Sequence, residues 1–238
     1  MGLLEDIGRY PQLVPIFTNV IFDTSQPHSN LIYPDMFNWL DSLLPVIKKH
    51  PKTLFVIRAH PDEIRPGKAS QETVADWVVR REITTYKNVR FISPEQHISS
   101  YDLIKKAKFI LVYNSTIGLE ASIMGLPVLS AGRARFTQYQ TVYFPKTRNA
   151  YLKKLDEFLK AKKIKSLPAH RIQARRFLYY QLFRTSLSFD QFLEADGIWR
   201  GFVRLADINI NDLRAETSES MRILSEGISA GRPFLTRE

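Results

Sequence analysis

The chain has 238 residues, of which 44% are hydrophobic and 24% charged, and a formal net charge of +10; it can bury a core as one domain, or as one domain with an appendage. Without cysteine, disulfides, thiolate metal sites and cysteine nucleophiles are excluded, and five scattered histidines show no metal-ligand spacing, so neither a metal nor another cofactor is expected. Met1 to Tyr10 include Glu5 and Asp6 and lack the apolar core of a secretion signal, and no apolar run reaches membrane-spanning length; the expected location is cytoplasmic.

In chain order, Leu13 to Thr18 reads as a strand, Pro34 to Lys49 as an amphipathic helix and Thr53 to Arg58 as a second strand. Ser70 to Thr85 reads as a helix, Val89 to Ile92 as a strand, Ser99 to Ala107 as a helix and Phe109 to Val112 as a strand. Ser115 to Met124 follows as a helix closed by Gly125, and Pro127 to Ser130 as a fifth strand. Apolar strands alternating with helices predict an α/β fold, a Rossmann-like parallel sheet with helices on both faces, over about residues 10–145. From 146 to 238 the pattern is a basic helical extension, roughly Asn149 to Lys163 and Pro168 to Thr185. A weakly periodic tail follows, expected to be partly disordered or to need a partner surface.

Ligands of such sheets bind beyond the carboxyl ends of the strands. Asn19, His60, Ser93 to His97, Asn114 to Thr116 and Ala131 to Arg133 all fall there, and all are expected along one edge. Asn114, Ser115 and Thr116 supply an N-cap with two hydroxyls at the start of a helix, a seat for phosphate that competes with an ordinary cap. Glu120, four residues past Thr116 on the same face, is placed to accept from the two hydroxyls of a ribose. At the second strand end, His60 is held by Pro61 where its imidazole can donate to a phosphate oxygen. Arg58, two residues earlier, shares its face and makes a small anion clamp; the alternative is a loop histidine bonded to Asp62.

Three motifs, Phe17-Thr18-Asn19 with Asp23-Thr24, Arg58-Ala59-His60-Pro61-Asp62-Glu63, and Asn114 to Ala121 with Gly125-Leu126-Pro127-Val128, resemble the donor-binding half of the capsule polysaccharide biosynthesis glycosyltransferases. The resemblance covers about residues 10 to 145 and implies one lobe of a two-lobed GT-B enzyme that transfers a sugar without a metal. It implies that His60-Pro61 and Ser115-Thr116 bind the phosphate of a cytidine-monophosphate sugar, as in related bacterial Kdo- and sialyltransferases, and that Glu120 binds the ribose. Asn19 is expected to face the cleft between lobes. The acceptor pocket and the catalytic acid of such enzymes lie on an N-terminal lobe that should precede Leu13, where only a dozen residues stand. The chain is therefore expected to be a fragment, a natural half needing a partner, or a protein without transfer activity. Asp23 is a weak local candidate for the base, better explained as a cap or turn residue.

Two other readings stand beside this one. The lobe could be a non-catalytic nucleotide-sugar-binding or assembly module of a polysaccharide complex, or an epimerase-like protein of the same architecture acting on a uridine-diphosphate sugar. The implied partners are a nucleotide-sugar donor and a glycan or glycolipid acceptor. Lys146 to Arg184 holds twelve Lys or Arg against Asp156 and Glu157, with Tyr151, Phe158, Phe177, Tyr179, Tyr180 and Phe183 interleaved. That stretch suits an acidic glycan or an anionic membrane surface, the latter placing the protein at the inner face of the cytoplasmic membrane, or it is a solvated helix pair with aromatics in the core. No recognised nucleic-acid motif accompanies the charge.

Overall fold

The computed structural model describes residues 3–21, 26–65, 72–164 and 167–236, which divide into two compact units, 1–175 and 176–238. The first begins with helix α1 (Leu3–Arg9) and strand β1 (Gln12–Phe17), followed by a short helical turn, α2 (Gln26–Ser29). Helix α3 (Met36–Lys49) leads to β2 (Thr53–Arg58), α4 (Val74–Arg80) to β3 (Val89–Ile92), α5 (Ser100–Lys106) to β4 (Ile110–Val112), and α6 (Ile117–Ile123) to β5 (Val128–Ser130). Helix α7 (Arg148–Lys160) and most of α8 (Pro168–Tyr179) complete the unit.

All five strands are parallel, in the order β3-β2-β1-β4-β5. The Rossmann-like α/β fold is therefore as read from the apolar runs. Every residue of β2, β4 and β5 is buried, as a sheet covered on both faces requires. In this order the chain builds outward from β1 through β2 to β3, then crosses back to lay β4 on the other side of β1. The reversal opens a crevice at the carboxyl ends of β1 and β4, where Phe17 lies beside Val112.

Helix α3 buries Met36, Trp39, Leu40, Leu43 and Ile47, a stripe with helical spacing. It begins two residues later than the expected Pro34 because Asp35 is extended and its carboxylate accepts from the Asn38 amide. Likewise, Thr73 and Asp76 form a reciprocal capping box, so α4 starts at Val74 instead of Ser70; residues 70 and 71 lie outside the described residues. Gly118 lets α6 press onto the sheet, since a Cβ there would lie 3.1 Å from Val112 Cγ2. At the far end of α6, Gly125 takes the positive φ of 89° expected of a helix-closing glycine.

The first unit runs well past residue 145. Helix α7 places Tyr151, Leu155, Phe158 and Leu159 in the core, where the buried Tyr151 hydroxyl accepts from Trp39 Nε1 at 2.9 Å. Two of the aromatics in the basic stretch thus serve the core, whereas Tyr179, Tyr180 and Phe183 are exposed. In the second unit the weakly periodic tail is an antiparallel hairpin, β6 (Leu193–Ala195) with β7 (Val203–Leu205), and a helix, α9 (Glu219–Ala230). The Ser218 hydroxyl caps α9 at its start, Gly231 closes it at a φ of 65°, and Phe234 packs over Gly227.

Candidate functional site

A cavity of about 450 Å³ opens at the carboxyl ends of β1, β2 and β4, the position the strand order favours. Phe17 and Thr18 line it from β1, Arg58 to Pro61 from β2, Ile98 to Tyr101 from the entry to α5, and Ser115, Thr116, Ile117 and Glu120 from β4 and α6. Five residues expected to hold a nucleotide, Arg58, His60, Ser115, Thr116 and Glu120, therefore share one cavity although 62 positions separate Arg58 from Glu120. A larger cavity of about 560 Å³ lies at the amino-terminal end of β5, between Gly125, Pro127, Tyr143 and Arg171, and holds none of them.

The His60 side chain is oriented by its own backbone. Its Nδ1 accepts from the Asp62 amide at 3.1 Å and caps the 3-10 turn Pro61–Ile64. An accepting Nδ1 puts the imidazole proton of the neutral ring on Nε2, leaving that atom as a donor. The Asp62 backbone amide is thus one partner of the ring.

Arg58 is almost fully buried. Its Nη1 donates to the Ser93 carbonyl at 2.9 Å, its Nε has no partner among the described residues, and burial pulls its pKa down. It lies as a buried cation in the cavity wall. In the turn after β2, the Glu63 carboxyl is buried with no hydrogen bond meeting ordinary geometry among the described residues. Burial pushes its pKa up to about 7, with Asp76 and Glu95 adding to the rise and the nearby Val74 amide opposing it.

Ser115 and Thr116 depart from the expected cap. Thr116 is the residue before α6 but sits in the right-handed helical region, φ −61° and ψ −22°, and its hydroxyl does not cap the helix. A capping side chain needs an extended backbone to reach back to the helix amides. Neither hydroxyl has a hydrogen-bond partner among the described residues, so both are available at the cavity wall. Glu120 is held differently, by a hydrogen bond from the Tyr101 hydroxyl to its Oε2. That bond raises the Tyr101 pKa, since losing the proton would set a phenolate against a carboxylate.

The remaining candidates are elsewhere. Asn114 turns its amide to Ser29 Oγ at 2.6 Å, and its backbone amide donates to Asn19 Oδ1 at 3.3 Å. Both asparagines are buried and neither lines the cavity; they tie the ends of β1 and β4 to α2. Asp23 lies outside the described residues. The strand ends named from sequence follow parallel strands and so share the carboxyl edge of the sheet, as expected, but Ser93, which contributes its carbonyl to Arg58, and Gly132, which donates to the Tyr113 carbonyl at 2.7 Å, do not line the cavity. Ile98 to Tyr101 were missed because they begin a helix six or more residues after β3 ends, and no motif marks them. Among the described residues no three His, Asp or Glu side chains form a group able to hold a metal, and no helix is long and apolar enough to cross a membrane.

With the site in view, comparison with known proteins finds a family model that matches part of the chain. Residues 33–140 match the model of the capsule polysaccharide biosynthesis proteins. The match contains the His60-Pro61 pair and the whole Asn114 to Glu120 turn, so the resemblance stated from these motifs is borne out. No curated protein matches the sequence. Among solved structures the chain is similar to a putative UDP-N-acetylglucosamine 2-epimerase from Listeria monocytogenes, with 14% identity, coverage of 76% of this chain and 47% of that one, and a TM-score of 0.46. It is also similar to the KpsC beta Kdo 2,7 transferase of Thermosulfurimonas dismutans, at 21%, 68%, 43% and 0.41 in the same order. The UDP-GlcNAc 2-epimerase from Neisseria meningitidis, bound to UDP-GlcNAc, gives 18%, 72%, 44% and 0.42. The chain spans less than half the length of each of these three proteins.

Proposed function

We propose that this chain is the donor-binding half of a capsule polysaccharide glycosyltransferase, and that its cavity takes a nucleotide-linked sugar, with cytidine monophosphate as the carrier. The observation that carries this reading is the meeting of His60, Arg58, Ser115, Thr116 and Glu120 around one cavity at the reversal of strand order. The His60 Nε2–H is a donor suited to phosphate oxygens, as are the Ser115 and Thr116 hydroxyls, neither of which has a hydrogen-bond partner among the described residues, and Glu120 is an acceptor suited to a ribose diol. Among the described residues, Arg58 is the one guanidinium in the wall, which favours one phosphate over two. When the bond to the sugar breaks, negative charge grows on the departing phosphate, and donors already in place stabilise it without reorganising.

In this reading the acceptor, a glycan or glycolipid hydroxyl, and the base that takes its proton come from a second lobe facing the strand ends, and no metal takes part. Calorimetric titration of the chain with CMP, UMP and UDP tests it. Binding of CMP more tightly than the uridine nucleotides is expected. No binding of any of them refutes the donor role, and a preference for UDP transfers the site to a uridine-diphosphate sugar.

A further inference from the structure

The Tyr101 hydroxyl donates to Glu120 Oε2 across the cavity, and both side chains line its wall. We propose that Tyr101 is a positioning residue that holds the Glu120 carboxylate ready for a ribose diol, making the site selective for ribose over deoxyribose. This rests on the reading of the cavity as a nucleotide site.

A glutamate side chain has three rotatable bonds, and only a few of its rotamers point both oxygens at one ligand; fixing them on binding costs affinity. Glu120 is on α6 and Tyr101 is the second residue of α5, so the two helices hold the phenol and the carboxylate from separate elements. The phenol has only two torsions to fix and is partly packed, its residue being 49% exposed. Its one donated proton occupies one lone pair of Oε2. The second lone pair and all of Oε1 remain to accept from vicinal hydroxyls. A sugar lacking the 2′-hydroxyl loses one of those bonds and gains less from the prepared carboxylate.

The test is titration of the full chain and its Tyr101→Phe, Glu120→Gln and doubly substituted forms with CMP and with 2′-deoxy-CMP. Wild type is expected to prefer CMP. Tyr101→Phe is expected to weaken CMP about five- to tenfold and 2′-deoxy-CMP markedly less, and the double variant to lose little more than Glu120→Gln alone. Equal weakening of both nucleotides would reduce Tyr101 to a packing surface and overturn the proposal. So would unchanged ribose preference, additive losses, or tighter CMP binding, the last showing that the phenol competes with the diol. If wild type binds neither nucleotide, the donor-site reading itself fails. If wild type binds with a ribose preference that Tyr101→Phe retains, only the role of Tyr101 fails.

Discussion

Replacing His60 by asparagine and by glutamine separates two functions of one ring. Nδ1 accepts from the Asp62 amide and so caps the turn that follows β2, while Nε2 is left as the donor proposed for phosphate. The asparagine Oδ1 falls near the position of Nδ1 and can keep the cap, but asparagine has no atom near Nε2. His60→Asn is therefore expected to keep its unfolding temperature, with a stability change within about 0.5 kcal/mol. It should lose the phosphate bond, and a hydrogen bond to a charged group contributes about 1.5–3 kcal/mol, or roughly 10- to 150-fold in affinity. Glutamine reverses the outcome. Its Nε2 reaches near the imidazole Nε2 and should restore part of the affinity, whereas loss of the cap lowers stability by about 1 kcal/mol. Thermal unfolding by circular dichroism and calorimetry with CMP read the two effects separately. Wild-type affinity in His60→Asn would refute the phosphate role, and an asparagine variant as unstable as His60→Ala would refute the cap.

Joint replacement of Ser115 by alanine and Thr116 by valine removes two hydroxyls that have no protein partner among the described residues, so stability should move by less than about 1 kcal/mol while CMP affinity falls at least about tenfold; a large loss of stability would show that they support the fold. Glu63 carries a pH signature. Its carboxyl titrates at about 7 when folded against an ordinary 4.5, so the folded protein holds the proton more tightly and stability falls as pH rises from 4.5 to about 7, by up to about 3 kcal/mol. Glu63→Gln should flatten that part of a stability profile measured by urea unfolding, and an unchanged slope would refute the assignment. Trp39→Phe leaves the buried Tyr151 hydroxyl without its donor, costing about 1–3 kcal/mol beyond lost ring packing; a total below 1 kcal/mol in urea unfolding would contradict the core role of α7.

What was legible in the sequence depended on whether the information was local. The strands were readable because a strand buried on both faces is apolar at every position, as Leu54 to Ile57 and Ile110 to Val112 are. The shared cavity of His60 and Ser115 followed from a rule about strand ends that needs no knowledge of distance. Helix starts were missed where a cap lay inside the apolar periodicity, at Asp35 and Thr73. Helix α7 was assigned to the basic extension because its charge is conspicuous in sequence, while its buried side is four residues, Tyr151, Leu155, Phe158 and Leu159. Orientation was not legible at all. Asn114 and Ser115 are neighbours, yet one side chain turns inward to Ser29 and the other lines the cavity. Tyr101 meets Glu120 only in space.

The crossing between β3 and β4 makes ligand capture a report on the finished sheet. Thr18, Arg58 and His60 come from the portion of chain laid down before the crossing, Ser115, Thr116 and Glu120 from the portion after it, and Tyr101 from the crossover itself. Cutting the domain at this point would yield two fragments that each retain a βαβ repeat but possess only one wall of the cavity. A nucleotide added during refolding should consequently remain unbound until the last two strands have docked, and its capture would timestamp the end of assembly.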